Sequence, residues 1–150
     1  MDKIENNIKT KKQRPSQLSL LCILSFIGGG LSILSNLVIY SVFDQIKIYF
    51  EDGELQNFFG TEIDMGFLLN INPNFFLLQI VLFSFSVYGV YLMWNIDFKG
   101  FHIYSVSQVL LLIVPEIFIP SLPFPFFEIA LTVVFILLYF KNLKEVEKEE

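Results

Sequence analysis

Four long tracts of this chain are almost free of charged residues, and they constrain the fold more than any other feature. They cover about residues 18–43, 75–94, 101–118 and 124–140. As α-helices they would be roughly 25–39 Å long, against a hydrocarbon core of about 30 Å. An open chain in lipid satisfies its backbone hydrogen bonds only as a helix, and "VLLLIV" or "FFLLQIVLF" lack the alternation of barrel strands. The sequence therefore predicts four transmembrane helices.

Positive charges fall unevenly on the two sides of these tracts. Of the 10 Lys and Arg residues, Lys47 alone lies on one side of the membrane. The acidic segment, residues 44–74, lies on that same side. Since positive residues favour the cytoplasmic side, both termini are predicted to be cytoplasmic. The net charge of −5 and the lack of a clustered basic face argue against nucleic-acid binding. The other nine cations are Lys3, Lys9, Lys11, Lys12, Arg14, Lys99, Lys141, Lys144 and Lys148.

The predicted fold is an all-α, integral membrane four-helix bundle in up-down-up-down order. A basic cytoplasmic tail (1–16) precedes the four-span domain (17–141), and a charged cytoplasmic tail (142–150) follows and is expected to continue the last helix. Residues 44–74 form an acidic outer segment. "NIDFKG" is predicted to be a tight inner turn in which Gly100 breaks the helix, and "IPSLPFP" an outer turn.

A secretory signal is the alternative for the first tract, because "KKQRP" precedes an apolar run. Signals have an apolar core of about 7–15 residues and a small-residue cleavage site. Here the apolar sequence continues to Phe43 without an A-x-A pattern, and bulky Leu21 before Cys22 argues against a lipoprotein. A membrane span is therefore the preferred interpretation.

Three consecutive glycines, residues 28–30, lie in the middle of the first tract. In water each Gly costs a helix about 1 kcal/mol relative to Ala, but in lipid small residues let helices approach closely. Helical spacing places small residues on one face of the tract. We therefore predict that the glycines lie inside a helix. The predicted packing residues are Ser25, Gly28, Gly29 and Ser32.

A few polar residues inside the tracts could bind a ligand. Glu128 is the sharpest candidate, because an ionisable residue within a span suggests function by default. Asn36 and Gln79 are expected at a similar depth, with Glu116 near the outer end of the third span. Together they would form an outer-leaflet polar cluster able to bind a cation, a proton or a lipid headgroup.

Each member of that cluster also has a purely structural interpretation. Glu128 follows two prolines at a helix start, where a carboxylate complements the helix dipole. Asn36, Gln79 and Gln108 could be interhelical hydrogen-bond partners. Glu116 is interpreted as a solvated loop residue between prolines. The tyrosines near span ends, including Tyr104 and Tyr139, are interpreted as part of an aromatic belt. By helical spacing Tyr104 also shares a face with Gln108, and Tyr139 shares one with Glu128 and Thr132, and both faces are predicted to point into the bundle.

The sequence offers little for catalysis or metal binding. Cys22 and His102 are the single cysteine and the single histidine, and both lie near the inner starts of spans. A thiolate–imidazole pair is conceivable, but no orienting Asp or Asn is evident near them. Zinc sites need several such ligands. We therefore expect no enzyme, no metal and no cofactor.

Two segments carry a resemblance to a group of known proteins. "RPSQLSLLCILSFIGGG" and "KGFHIYSVSQVLLLIVP" resemble parts of small, uncharacterised bacterial four-span membrane proteins. The resemblance covers most of residues 14–140 and omits the acidic outer segment. It implies a four-span fold in a bacterial inner membrane, and it brings no activity or site residue.

Two functional hypotheses follow. The preferred one is a non-enzymatic multi-pass protein in the lipid bilayer that acts through helix packing with itself, as a homo-oligomer, or with a membrane-protein partner. The alternative is a small transporter or permeation subunit that moves a cation or a proton through Asn36, Gln79 and Glu128.

Overall fold

A computed structural model of the chain describes residues 14–51, 71–119 and 124–148. Within these ranges the chain forms α-helices and no strand, and each helix is long and apolar enough to cross a membrane. The prediction of an all-helical, multi-pass membrane protein is confirmed to that extent. Most of the basic tail, much of the acidic segment and the proline turn lie outside the described residues. The helices are α1 (Ser16–Glu51), α2 (Asn74–Trp94), α3 (Lys99–Phe118) and α4 (Phe126–Lys148).

Helix α1 passes through all three glycines without interruption, as predicted. It also continues to Glu51, beyond the predicted end of the span at residue 43. The prediction placed the end where charged residues begin, but a helix can leave the apolar layer with its polar residues in water. Phe43 is buried and Ile46 half-buried, three positions apart on one face, while Asp44 and Lys47 are exposed.

The connection between α2 and α3 corrects the prediction for Gly100. The turn runs through residues 95–98, where Ile96 takes a positive φ of 61° and the Asp97 carboxylate accepts a hydrogen bond from the Lys99 N–H at 2.9 Å. Gly100 does not break the helix, because α3 begins at Lys99 and Gly100 is buried inside it. The chain reverses its direction before it reaches Gly100.

Gly100 is needed for the close approach of α2 and α3. A Cβ atom on Gly100 would lie 2.7 Å from the backbone nitrogen of Met93, and one on Gly89 would lie 2.7 Å from the backbone nitrogen of Tyr104. Backbone atoms cannot move aside as the end of a flexible side chain can. The two glycines therefore let the helices pack backbone against backbone.

Two clusters of buried side chains form the core. The Tyr139 cluster combines the start of α1, the end of α2, the start of α3 and the second half of α4. The Phe75 cluster combines the end of α1, the start of α2 with Ile71 three residues before it, and the end of α3 with the residue after it. No described residue of α4 belongs to it. Members of the Tyr139 cluster are Leu18, Leu21, Cys22, Val90, Met93, Tyr104, Tyr139 and Leu143; members of the Phe75 cluster are Phe43, Ile71, Phe75, Phe76, Leu82, Val114 and Ile119.

The buried residues of α4 therefore lie in its second half, with Phe135 and Ile136 partly buried against the same cluster. Tyr139, Asn142, Leu143 and Val146 are buried at helical spacing, so the helix continues without a break through "KNLKEVEK" as expected. At the other end Phe126 and Phe127 are each 75% exposed. The first half of α4 consequently borders open space instead of a packed core.

The glycine contacts predict opposite effects for two matched substitutions. Gly89→Ala inserts a methyl group into backbone atoms and should destabilise the protein by about 1–3 kcal/mol. Gly30→Ala meets no atom within 4 Å and removes a glycine from a helix, so stability should be unchanged or slightly higher. Unfolding in detergent, followed by circular dichroism, measures both. Equal midpoints for the two variants would contradict the close packing of α2 on α3.

Candidate functional site

A cleft of about 370 Å³ lies between the first half of α4 and the other three helices. Each helix contributes a polar side chain to its lining: Asn36 from α1, Gln79 from α2, Gln108 from α3, and Glu128 with Thr132 from α4. The remaining lining is apolar and partly aromatic. It includes Phe75, Phe83, Leu111, Leu112, Pro115 and Leu131.

Helical spacing explains why these side chains meet. Gln79 and Phe83 are four residues apart on α2, and Glu128 and Thr132 are four residues apart on α4. Residues at that spacing share one face of a helix. Each helix therefore presents one short stripe toward the cleft.

The amide groups of Asn36 and Gln108 are held by hydrogen bonds within the protein. The Asn36 Nδ2 donates to the Ser32 carbonyl at 2.8 Å, within α1. The Gln108 Nε2 donates to the Ser86 hydroxyl at 2.9 Å and so connects α3 to α2. Gln108 is thus an interhelical hydrogen-bond partner, whereas the Asn36 amide nitrogen bonds within its own helix.

Gln79 differs because part of its amide is buried and unpaired. The side chain is only 6% exposed, and among the described residues its Oε1 atom has no hydrogen-bond partner. A buried acceptor without a donor costs roughly 1–3 kcal/mol. This oxygen belongs to a residue that lines the cleft, so a ligand in the cleft could supply the missing donor.

Glu128 lies in the first turn of α4 and is exposed. It lines the cleft and also a neighbouring cavity of about 530 Å³ between α3 and the start of α4. Its carboxylate therefore stands where the two spaces meet. This position is compatible with stabilisation of the helix start as well as with ligand binding.

Glu116 is separate from the other three members of the predicted polar cluster. It lines the neighbouring cavity with Glu128 and is absent from the cleft lining that Asn36 and Gln79 share. It is also not a loop residue, because α3 continues through Pro115 to Phe118. A proline disturbs the turn before it, and the helix recovers when the Ile119 N–H donates to the Pro115 carbonyl at 2.8 Å.

The predicted packing stripe of α1 is divided between different neighbours. A Cβ on Gly29 would lie 2.6 Å from a methyl group of Val87, so Gly29 packs closely on α2. Ser25 accepts a hydrogen bond from the Tyr139 hydroxyl at 2.9 Å. Ser32 is half-buried, and its backbone carbonyl accepts the hydrogen bond from the Asn36 amide. A Cβ on Gly28 would meet nothing within 4 Å, and Gly28 borders a smaller cavity of about 200 Å³.

A pair of tyrosines, Tyr104 and Tyr139, forms the centre of packing in the core. Tyr139 is fully buried, Tyr104 is nearly so, and their ring centroids are 5.0 Å apart. The interpretation as belt residues is wrong for these two, because both rings point into the bundle. Their burial agrees instead with the inward-facing stripes that helical spacing predicted, on which Tyr139 lies seven residues after Thr132.

Cys22 and His102 occupy different surroundings. Cys22 is fully buried in the Tyr139 cluster. His102 is exposed, and its ring lies 5.6 Å from the ring centroids of both Phe98 and Phe101. Within residues 14–51, 71–119 and 124–148, no group of three or more His, Cys, Asp or Glu side chains could hold a metal ion.

Comparison with known proteins adds nothing to this geometry, since no family model, no curated protein and no solved structure matches the chain. The resemblance to small bacterial four-span proteins stays a prediction from the sequence.

Proposed function

We propose that the helices cross a bacterial inner membrane in up-down-up-down order, with both ends of the chain in the cytoplasm. The contacts at the start of α1 support this order. The Arg14 guanidinium stacks 3.9 Å from the centre of the Trp94 ring, which places the start of α1 beside the end of α2. The Tyr139 cluster adds the start of α3 and the end of α4. The bias of Lys and Arg supports the orientation.

We further propose that the protein is not an enzyme and acts through association in the membrane, with a second copy or another membrane protein. The observation that carries this proposal is the uncovered first half of α4. Phe127, Leu131 and Val134 are exposed there, and no described residue of α4 enters the Phe75 cluster. A neighbouring helix could cover this face by van der Waals packing, which drives helix association in lipid.

A second candidate function is the passage of a cation or a proton, and one specific observation favours it. Asn36, Gln79 and Glu128 line the same cleft. An ionisable residue within a span is typical of ion pathways. Four helices alone enclose little space, so this function would require an oligomer.

The proposed order predicts which single cysteines are accessible from outside. In a Cys22→Ser background, a membrane-impermeant maleimide should label Gln56→Cys in intact spheroplasts and should not label Asp2→Cys or Glu149→Cys. All three should react after permeabilisation. Labelling of either terminal variant in intact spheroplasts would refute the proposed orientation.

The association proposal predicts a difference between two matched valines. Val134 on α4 and Val81 on α2 are both 49% exposed and lie a similar distance from the starts of their helices. In the Cys22→Ser background, Val134→Cys should form intermolecular disulfides in native membranes far more efficiently than Val81→Cys. A monomer by detergent sizing, with no cross-link from Val134→Cys, would count against association.

The permeation candidate predicts that flux depends on Glu128 and not on its neighbour. In liposomes with the purified protein, Glu128→Gln should reduce cation or proton flux at least tenfold, because the cleft loses its charge. Glu116→Gln removes the same charge outside the cleft and should leave flux near the unmodified level. Equal flux from Glu128→Gln and the unmodified protein would exclude this function.

A further inference from the structure

The cleft presents hydrogen-bond acceptors on several sides. Gln79 Oε1 is buried and has no partner among the described residues. The amides of Asn36 and Gln108 turn their nitrogens toward protein acceptors, which leaves the carbonyl oxygens of both for a ligand. Proline has no N–H, so Pro115 removes the usual helical donor to the Leu111 carbonyl, and both residues line the cleft. A ligand that suits this lining must bring several donors.

The charge of the lining indicates a monovalent cation. Glu128 is the one charged residue among those that line the cleft. An anion would lie beside this carboxylate without a cationic partner. A calcium ion takes six to eight oxygen ligands and usually several carboxylates, and a single carboxylate falls short of that.

The size and the apolar walls indicate an organic cation rather than a bare ion. A space of about 370 Å³ is too large for amide oxygens on its walls to surround a single metal ion closely. Phe75 and Phe83 stand in the wall, and a cation is attracted to the face of an aromatic ring. The cleft shares Leu112, Pro115 and Glu128 with the neighbouring cavity, so a longer molecule can extend into it.

We propose that this cleft binds a primary ammonium group, carried by a lipid headgroup or by a free amine. Its N–H groups donate to Glu128 and to the amide oxygen of Gln79, while its carbon chain contacts the phenylalanines. The proposal deepens the second candidate function, because it names the cation. Binding requires no transport, so the two can fail separately.

The experiment compares two phospholipids that differ in the headgroup amine. The full-length protein is placed in nanodiscs with phosphatidylglycerol and equal amounts of phosphatidylethanolamine and phosphatidylcholine, then released for native mass spectrometry. A primary ammonium donates hydrogen bonds and a quaternary one does not, so phosphatidylethanolamine should be retained at least tenfold over phosphatidylcholine. Ethylamine hydrochloride, added as a free amine, should displace it.

Two variants and one matched control assign the effect to the cleft. Glu128→Gln should weaken retention of phosphatidylethanolamine about tenfold. Gln79→Glu adds a carboxylate beside the ammonium and should strengthen retention several-fold. Gln45→Glu makes the same change on an exposed face of α1 and should have no effect. Circular dichroism checks that each variant is folded, and Glu128→Gln alone suffices if Gln79→Glu does not fold.

The outcomes separate the two sources of the ammonium. Ethylamine binding that depends on Glu128, without preference between the lipids, supports the proposal with a free amine as ligand. Equal retention of both lipids without an effect of ethylamine would overturn it, as would displacement by sodium or potassium at the same concentration as ethylamine. If the unmodified protein binds ammonium but gives no flux in the liposome assay, permeation is dismissed and the binding site stands.

Discussion

The packing of all four helices around Tyr139 is the constraint on which the rest of the fold depends. Within the described residues, this cluster gathers side chains from every helix, while the Phe75 cluster gathers them from three. Gly89 and Gly100 bring α2 and α3 into backbone contact next to it. The Tyr139 hydroxyl also bonds Ser25 at 2.9 Å, which holds α4 against the first half of α1. One end of the bundle is thereby closed tightly.

The cleft follows from this one-sided closure. Because α4 is held through Tyr139 and the residues after it, its first half runs beside the other helices without packing into the Phe75 cluster. The space left between them is lined by amides and a carboxylate, not by leucines alone. A bundle selected only for tight packing would fill this space with apolar side chains. Four side-chain atoms of the described residues are buried without a partner, and the Gln79 oxygen is the one among them whose residue lines this cleft, which agrees with the proposed occupant.

The sequence predicted the helices well, because span length and the absence of charge depend on composition along the chain. The glycines at 28–30 were placed correctly inside α1 for the same reason. The sequence predicted poorly those residues whose surroundings are set by a neighbouring helix. Gly100 looked like a helix breaker, yet its role is set by the backbone of α2. Tyr139 was assigned both to an aromatic belt and to an inward-facing stripe, and only the stripe agrees with its burial among the other three helices. Glu116 was interpreted as a loop residue between two prolines, although the predicted span already extended past it, and α3 does continue through Pro115 to Phe118.

For the cleft too, the sequence predicted which residues lie at similar depth but not how they are hydrogen-bonded. Position along the spans suggested that Asn36, Gln79 and Glu128 lie at similar depth. The structure places all three in the lining of one cleft. Their hydrogen bonds could not be read from the sequence: the Asn36 amide nitrogen donates to the Ser32 carbonyl, while the Gln79 amide oxygen has no partner among the described residues. These hydrogen bonds determine which ligand the cleft can bind. Because amide N–H donors are satisfied within the protein, amide oxygens remain as acceptors for a ligand. An association partner that covered α4 would bury these acceptors further, so any partner must either bring donors to Gln79 or close the cleft over a ligand that does. The proposed association and the proposed ligand binding would therefore be linked at Leu131, which is exposed on α4 and also lines the cleft.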